Sequence, residues 1–335
     1  MTTTRQAHEH PAEPSARSAE RPRLTAGRPR LTARRRRLTG ERPRRGVTPG
    51  SLLALHDAGY CAVLERLGPG RVLDVGCGEG FESLRFAGEG RQVLGVDYAS
   101  DAASAARGLA RGSTATGADG RGSAFSVAQM DAVALGLAAG TFDAVCSSHL
   151  IEHFADPARH VAELARVTAA GGSAFFLTPN APADFENPFH LHLFRPRDLA
   201  SLLGSFFEEV WVGGVDADER VKADFAARRA KAARILRLDV FDLRHRIPRS
   251  WYVALYSRLL PLAYAIVARG QRRARSDGTN GGAPGGAPDG APGGAPDGAR
   301  GVTADGWYVT DAVDETTLVL FAVCRRPREQ PCGQP

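Results

Sequence analysis

The sequence predicts an α/β fold: a mostly parallel sheet with helices on both faces and a helical insert before its last strand. Three observations predict it. Short apolar runs of strand length alternate with helical patterns between residues 52 and 215, the order that builds a parallel sheet. The first run ends in a glycine-rich turn, Asp74-Val-Gly-Cys-Gly-Glu-Gly80, a type of loop found where a strand edge meets a ligand. The chain has 335 residues and 43% apolar content, enough to bury a core of that size.

Each element follows from local pattern. Leu52–Leu67 reads as a helix that stops at Gly68-Pro69-Gly70. Arg71–Val75 is a short apolar strand, Phe81–Ala87 fits a helix, and Gln92–Val96 is a strand ending at Asp97. Asp101–Ala110 is an alanine-rich helix with an acid near its start, and Ala124–Val127 is a strand. Phe142–Ser147 is a strand, Pro157–Thr168 a helix with proline in its first turn, and Gly172–Thr178 a strand. Arg197–Leu203 is helical, and Glu208–Val215 and Thr317–Cys324 are strands. Between these last two, Val221–Leu243 is a basic helix and Trp251–Ala268 an apolar stretch broken by Ser257, Arg258 and Pro261. The organisation expected is a disordered Arg/Pro-rich tail at 1–48, a core at 49–218 and an insert at 219–275. A Gly/Ala/Pro-rich disordered linker at 276–301, one or more closing strands of the core at 302–327 and a tail at 328–335 complete it.

Charge is distributed unevenly. The formal net charge is +6, yet residues 1–48 carry 13 arginines and four glutamates, and residues 220–275 carry 15 basic and three acidic residues. An acidic body therefore bears two basic appendages. The tail repeats a seven-residue unit, Glu-Arg-Pro-Arg-Leu-Thr-Ala, with one leucine per unit. That spacing buries no face and its prolines forbid a long helix. A solvated tail fits it better than a tether to an anionic surface. The insert is read as a cap over the sheet, and residues 244–273 are the candidate for weak membrane-surface contact. The five cysteines are scattered without a Cys-x-x-Cys pair, which excludes a disulfide framework or a cysteine zinc site. No run of about 18 apolar residues is present, and the N-terminus lacks an apolar signal, so the expected location is cytoplasmic.

The chemistry concentrates at strand ends. Glycines 76, 78 and 80 allow a sharp turn and bring backbone amides near a ligand, and a helix N-terminus is expected to follow. Dinucleotide sites use Gly-x-Gly-x-x-Gly, whereas the spacing here is Gly-x-Gly-x-Gly. Asp74 beside that turn would repel a pyrophosphate but could hold a cationic amino group directly or through water. Asp97, ending the second strand, can accept both hydroxyls of a ribose.

Taken in order, several segments resemble the class I S-adenosylmethionine-dependent methyltransferases. They are Val72–Gly80, Leu94–Asp97, Gln129-Met-Asp-Ala132, Thr141-Phe-Asp-Ala-Val-Cys146, Leu150-Ile-Glu-His153 and Ala170-Gly-Gly-Ser-Ala-Phe-Phe176. The resemblance covers residues 68–180, with Thr317–Cys324 similar to the family's closing strand. It is of the bacterial small-molecule and glycan-associated type, similar to the ubiquinone-pathway O-methyltransferases. It implies a Rossmann-like sheet of seven strands, the last antiparallel, with S-adenosyl-L-methionine as cofactor. Asp74, Gly76 and Gly78 would line the methionine part, and Asp97 would bind the ribose. Asp131, with the backbone of Met130 and Ala132, would contact the adenine. Ser147, Ser148 and His149 would lie under the sulfonium, and Cys77, Gly80 and Tyr98 join the cofactor-binding set.

Methyl transfer from an activated sulfonium needs alignment, exclusion of water and, for a hydroxyl acceptor, a base. His190, His153 and His149 are the candidates, with His160 and His192 as further histidines whose role could be purely structural. His149-x-x-Glu152-His153 matches a metalloprotease pattern, but it follows a strand rather than lying within a long helix. Some relatives place Glu-x-x-Glu-His at this point and bind a divalent ion. Here His149 replaces the first glutamate, which disfavours magnesium, and no metal is assigned. Asn187-Pro-Phe-His-Leu-His-Leu-Phe194 resembles a loop that roofs the active site of bacterial methyltransferases often encoded beside glycosyltransferases.

The expected activity is O-methylation of a small metabolite, sugar or glycan precursor. A non-catalytic S-adenosylmethionine-binding module and a nucleic-acid methyltransferase are the alternatives. No RNA-binding motif is visible, so no specific nucleic acid is expected as partner. The oligomeric state is left open.

Overall fold

The structure, a computed structural model, describes residues 48, 50–113, 124–184, 189–236 and 306–328. The N-terminal repeat, the insert from residue 237 onward with Trp251–Ala268 and the 244–273 contact, the Gly/Ala/Pro-rich stretch and the tail from 329 lie outside the described residues.

Helix α1 (Gly50–Leu64) leads into β1 (Gly70–Val75), a 3-10 turn at Ser83–Phe86, β2 (Arg91–Asp97), α2 (Ser100–Gly112) and β3 (Phe125–Gln129). Next come β4 (Phe142–Ser148), a 3-10 turn at Ile151–His153, α3 (Pro157–Val167) and β5 (Thr168–Pro179). A 3-10 turn at Ala181–Ala183, α4 (Pro196–Gly204), β6 (Phe207–Ala217), α5 (Glu219–Leu236), β7 (Trp307–Thr310) and β8 (Val319–Pro327) follow. Proline opens α3 and α4, where its missing N–H is harmless, and the Asp156 carboxylate accepts the Ala158 amide to start α3.

The strands form one sheet in the order β3-β2-β1-β4-β5-β8-β6-β7. Neighbours from β3 to β5 are parallel, β8 runs antiparallel to β5 and β6, and β7 runs antiparallel to β6. The sheet thus has eight strands where seven were expected. β6 runs on to Ala217, which leaves its outer edge unpaired there, and Trp307–Thr310 covers it at Gly214–Ala217.

Alternation along the strands divides the core into two layers. Val72, Ala144, Cys146, Phe175, Leu177 and Phe321 face one layer with α1 and α5. Leu73, Val75, Val145, Ala174, Phe176 and Leu320 face the other with α3 and α4. Both faces of the sheet are therefore buried, as a mostly parallel sheet requires.

One expected helix is absent. Phe81–Ala87 forms only the 3-10 turn at Ser83–Phe86. Gly80 and Gly88, both at positive φ, break the chain on either side of a seven-residue stretch. The Ser83 hydroxyl is also spent on the Asp74 carboxylate, an alternative that competes with helix.

Candidate active site

The parallel order aligns the carboxyl ends of β3, β2, β1 and β4 along one edge. A cavity of about 390 Å³ opens there. Its walls include Gly76, Cys77 and Gly78 after β1, Asp97 and Tyr98 at the end of β2, Met130–Ala132 after β3, and Ser148, His149 and His153 after β4. This is where open α/β sheets bind ligands. Of the expected set, Asp74, Gly80, Ser147 and His190 stand outside the cavity wall.

The glycine-rich turn does different work from that expected. The amides of Gly76 and Cys77 donate to the Val96 carbonyl at 2.8 and 3.0 Å. The Gly78 amide donates to Asp97 Oδ2 at 3.0 Å. These donors are already engaged and no α-helix N-terminus follows them, so the turn offers a ligand space rather than amides. A Cβ at Gly78 would meet nothing within 4 Å, whereas one at Gly80 would meet Ala106 at 2.9 Å and the Phe125 ring at 3.1 Å. Gly80 packs the turn against α2 and β3. The turn's bond to Asp97, with the Ala99 amide on Oδ1 at 2.8 Å, holds that carboxylate fixed at the cavity floor. Asp97 is 7% exposed.

Asp74 sits behind the wall. Its side chain is fully buried, and its oxygens accept the Tyr60 hydroxyl at 3.1 and 3.3 Å as well as the Ser83 hydroxyl. Burial pushes its carboxyl up to about 6, while the two hydroxyls pull the other way. Tyr60, from α1, is the residue that faces the cavity in its place.

Beyond β3, the Met130 amide donates to the Asp97 carbonyl at 3.2 Å and Asp131 accepts the Val133 amide at 3.1 Å. His160 anchors this loop from below. Its Nδ1–H donates to the Ala132 carbonyl at 3.0 Å, so its Nε2 accepts the Ser147 hydroxyl at 2.9 Å. Burial holds its pKa down at about 4, and it is a neutral strut between β4 and the loop. Ser147 is consequently committed to the core, while Ser148, one residue along the strand, turns to the cavity.

Histidines gather at the β4 end. His149 occupies the left-handed region at φ 50°, and its ring lies 4.3 Å from that of His56 on α1. Its Nδ1 faces Glu152 Oε1 at 3.6 Å. Glu152 is 1% exposed and accepts the Thr178 hydroxyl at 3.0 Å. The surrounding histidines hold its carboxyl far below its ordinary value despite burial. Its carbonyl accepts the amides of Leu191 and His192, which fastens the 189–194 loop over this end. His153 Nδ1–H donates to the Phe189 carbonyl at 3.1 Å, and His190 Nδ1–H donates to Asp184 at 2.9 Å. The His153 and His190 rings meet edge to face at 5.1 Å, placing His190 behind His153. Among the described residues Ser148 Oγ, His149 Nε2 and Glu152 Oε1 are buried without a hydrogen-bond partner.

Donor atoms of Glu152, His153 and His190 lie within 4.8 Å of one another. They could hold a divalent ion, and two imidazoles suit a borderline transition ion better than magnesium. The group differs from the sequence grouping of His149, Glu152 and His153, because His190 replaces His149.

Sequence reasoning missed His56 and Tyr60. With Leu53 they stand at helical spacing on the cavity side of α1. That spacing was the available signal, although it does not say which face of α1 meets the sheet edge. Glu79, Phe81 and Glu82 were also overlooked as wall residues.

Residues 73–176 match the family described as a methyltransferase domain. A probable S-adenosylmethionine-dependent methyltransferase of Mycobacterium tuberculosis H37Rv is 32% identical over 154 residues, covering 44% of this chain and 52% of that protein. A ubiquinone biosynthesis O-methyltransferase of Hahella chejuensis is 38% identical over 113 residues, 33% of this chain and 43% of the relative. The chain spans about half the length of such curated relatives. Among solved structures, the [4+2]-cyclase SpnF aligns with 16% identity over 81% of both chains at a TM-score of 0.46. Among the described residues no helix is long and apolar enough to cross a membrane. With the sheet, the strand-end cavity and the family match together, residues 73–176 form a methyltransferase domain similar in sequence to S-adenosylmethionine-dependent enzymes.

Proposed function

We propose that the chain transfers the methyl group of S-adenosylmethionine to a hydroxyl of a small metabolite, sugar or glycan precursor. The carrying observation is the two-ended cavity: carboxylates at the ends of β2 and β3, histidines at the end of β4. Asp97 would hold the ribose hydroxyls, and the loop at Met130–Ala132 the adenine. The sulfonium would then lie between the glycine-rich turn and Ser148–His149. The ligand brings the activated methyl group, and the chain must orient the acceptor and take its proton. His149 and His153 line the acceptor end, and His190 backs His153. The named O-methylating relatives support oxygen as the acceptor atom.

Calorimetry with S-adenosylmethionine tests the donor. Micromolar affinity, roughly −8 kcal/mol, is expected; absence of binding removes the proposal. Mass spectrometry of metabolite pools incubated with labelled donor identifies the acceptor, and methylation of nucleic acid alone would overturn the small-molecule reading. His190→Ala should lower turnover far more than donor affinity, and an unaltered rate would leave it as a loop-ordering residue.

A further inference from the structure

Transfer to a hydroxyl needs a base, and among the described residues His56, His149 and His153 are the histidines that line the cavity. Two of them turn their nitrogens into the protein. His149 directs Nδ1 toward Glu152 Oε1 at 3.6 Å, and its Nε2 is buried. His153 is bound through Nδ1 to the Phe189 carbonyl at 3.1 Å, and a ring nitrogen lies within 4.8 Å of donor atoms of Glu152 and His190.

His56 differs. It stands on α1 between Leu53 and Tyr60, on the side of the helix that meets the cavity. The side chain is half-buried, and neither ring nitrogen has a hydrogen-bond partner among the described residues. Neither nitrogen is enclosed, in contrast to Ser148 Oγ, His149 Nε2 and Glu152 Oε1. A polar ring that is neither paired nor sealed is left for whatever enters the cavity. The His149 ring, 4.3 Å away and tilted by 53°, fixes its place.

We propose that His56 is the base that takes the hydroxyl proton of the methyl acceptor, and that His149 and Glu152 are positioning residues behind it. The assignment rests on the methyl-transfer reading above.

Charge supports it. Burial, and then the His149 ring, hold the His56 pKa well below the usual histidine value, so the ring is neutral with a lone pair to offer at pH 7. His56 has a further reason to stay neutral while a sulfonium occupies the same cavity. In the transfer, the acceptor oxygen bonds to the methyl carbon as the carbon–sulfur bond breaks and its electron pair stays on sulfur. The hydroxyl proton moves to His56. A positive charge thus disappears from sulfur as one forms on the imidazole, and the net charge of the cavity does not change. The Glu152 carboxylate pulls the His56 pKa upward and stabilises the new cation.

The test follows label from methyl-labelled S-adenosylmethionine into the metabolite pool used to find the acceptor. His56→Gln keeps a polar side chain and removes the base. It should lower the initial rate about a hundredfold and leave calorimetric affinity for S-adenosylhomocysteine unchanged. His56→Ala should lose as much, and added imidazole, which fits the space of the lost ring, should restore part of the rate. An unchanged rate in His56→Gln would overturn the proposal. A fall in S-adenosylhomocysteine affinity that matches the fall in rate, without rescue by imidazole, would make His56 a packing residue of α1 and overturn it too. Rescue of His149→Ala but not of His56→Ala would give the proton to His149 instead. Wild-type protein that binds S-adenosylhomocysteine but labels no small molecule would remove the acceptor reading and this assignment with it, a pattern distinct from the others.

Discussion

The two ends of the cavity are built by opposite rules. At the β2 and β3 end, polar groups are secured by neighbours close in the sheet: Asp97 takes two backbone amides, and Asp131 caps its own turn. At the β4 end, a buried carboxylate meets imidazoles from separate segments, and Ser148 Oγ, His149 Nε2 and Glu152 Oε1 lack hydrogen-bond partners among the described residues. The first end is held in place by its own backbone partners. The second holds unmatched polar atoms and a non-glycine residue at positive φ, features that persist when the surrounding structure compensates and that concentrate at functional sites. In the methyltransferase reading, the constant donor lies at the settled end and the reacting group at the unsettled one.

Glu152→Ala should break the comparison most sharply. It leaves the Thr178 hydroxyl and the His149 ring without their carboxylate, and urea denaturation should show a loss of about 3 kcal/mol. A loss below about 1 kcal/mol would mean that Glu152 does not hold this end together.

Asp97→Ala should weaken donor binding by about 1–3 kcal/mol in calorimetry, because charge-assisted bonds to the ribose disappear. Unchanged affinity would show that the ribose lies elsewhere.

The pH dependence contrasts two buried groups on opposite faces of the sheet. His160 is held down at about 4 from 6.5, so below pH 6.5 the unfolded chain takes up the proton first and stability falls with acid. Asp74 is held up at about 6 from 3.8, so the folded chain takes up its proton first and stability rises as pH falls from 6 toward 4. The two oppose, and the wild-type curve should be shallow between pH 4 and 6. His160→Gln removes the first effect, so relative to wild type it should gain about 1–2 kcal/mol on going from pH 7 to pH 5. Parallel curves for variant and wild type would show that His160 is not held neutral.

Asp131→Ala should have the smallest effect, less than about 1 kcal/mol of donor affinity and none on stability, since its carboxylate is exposed. A measurable loss of stability would place the β3 loop with the β4 end as part of the folding core.

The legible part of the site was the part written locally. Gly76, Gly78, Asp97, Met130–Ala132 and Ser148 each follow an apolar run of strand period, and strands in a parallel sheet deliver their ends to one edge. Ser147 was grouped with them, but one residue of strand alternation sends it to His160 instead. The expected helix after Gly80 failed because two positive-φ glycines and a buried serine bond outweigh seven residues of weak propensity. The eighth strand went unseen because Trp307–Thr310 pairs with residues about ninety positions earlier, a match that four residues of pattern do not announce.

Most of the sheet, the strand-end turns and the acids that follow the strands could be read from sequence, because period and turn chemistry act over a few neighbouring residues. What those acids face depends on long-range packing. Docking of α1 put Tyr60 before Asp74 and His56 against His149, and folding of the 189–194 loop onto Glu152 put His190 behind His153. Such contacts join residues far apart in the chain, and their geometry is set by packing rather than by spacing.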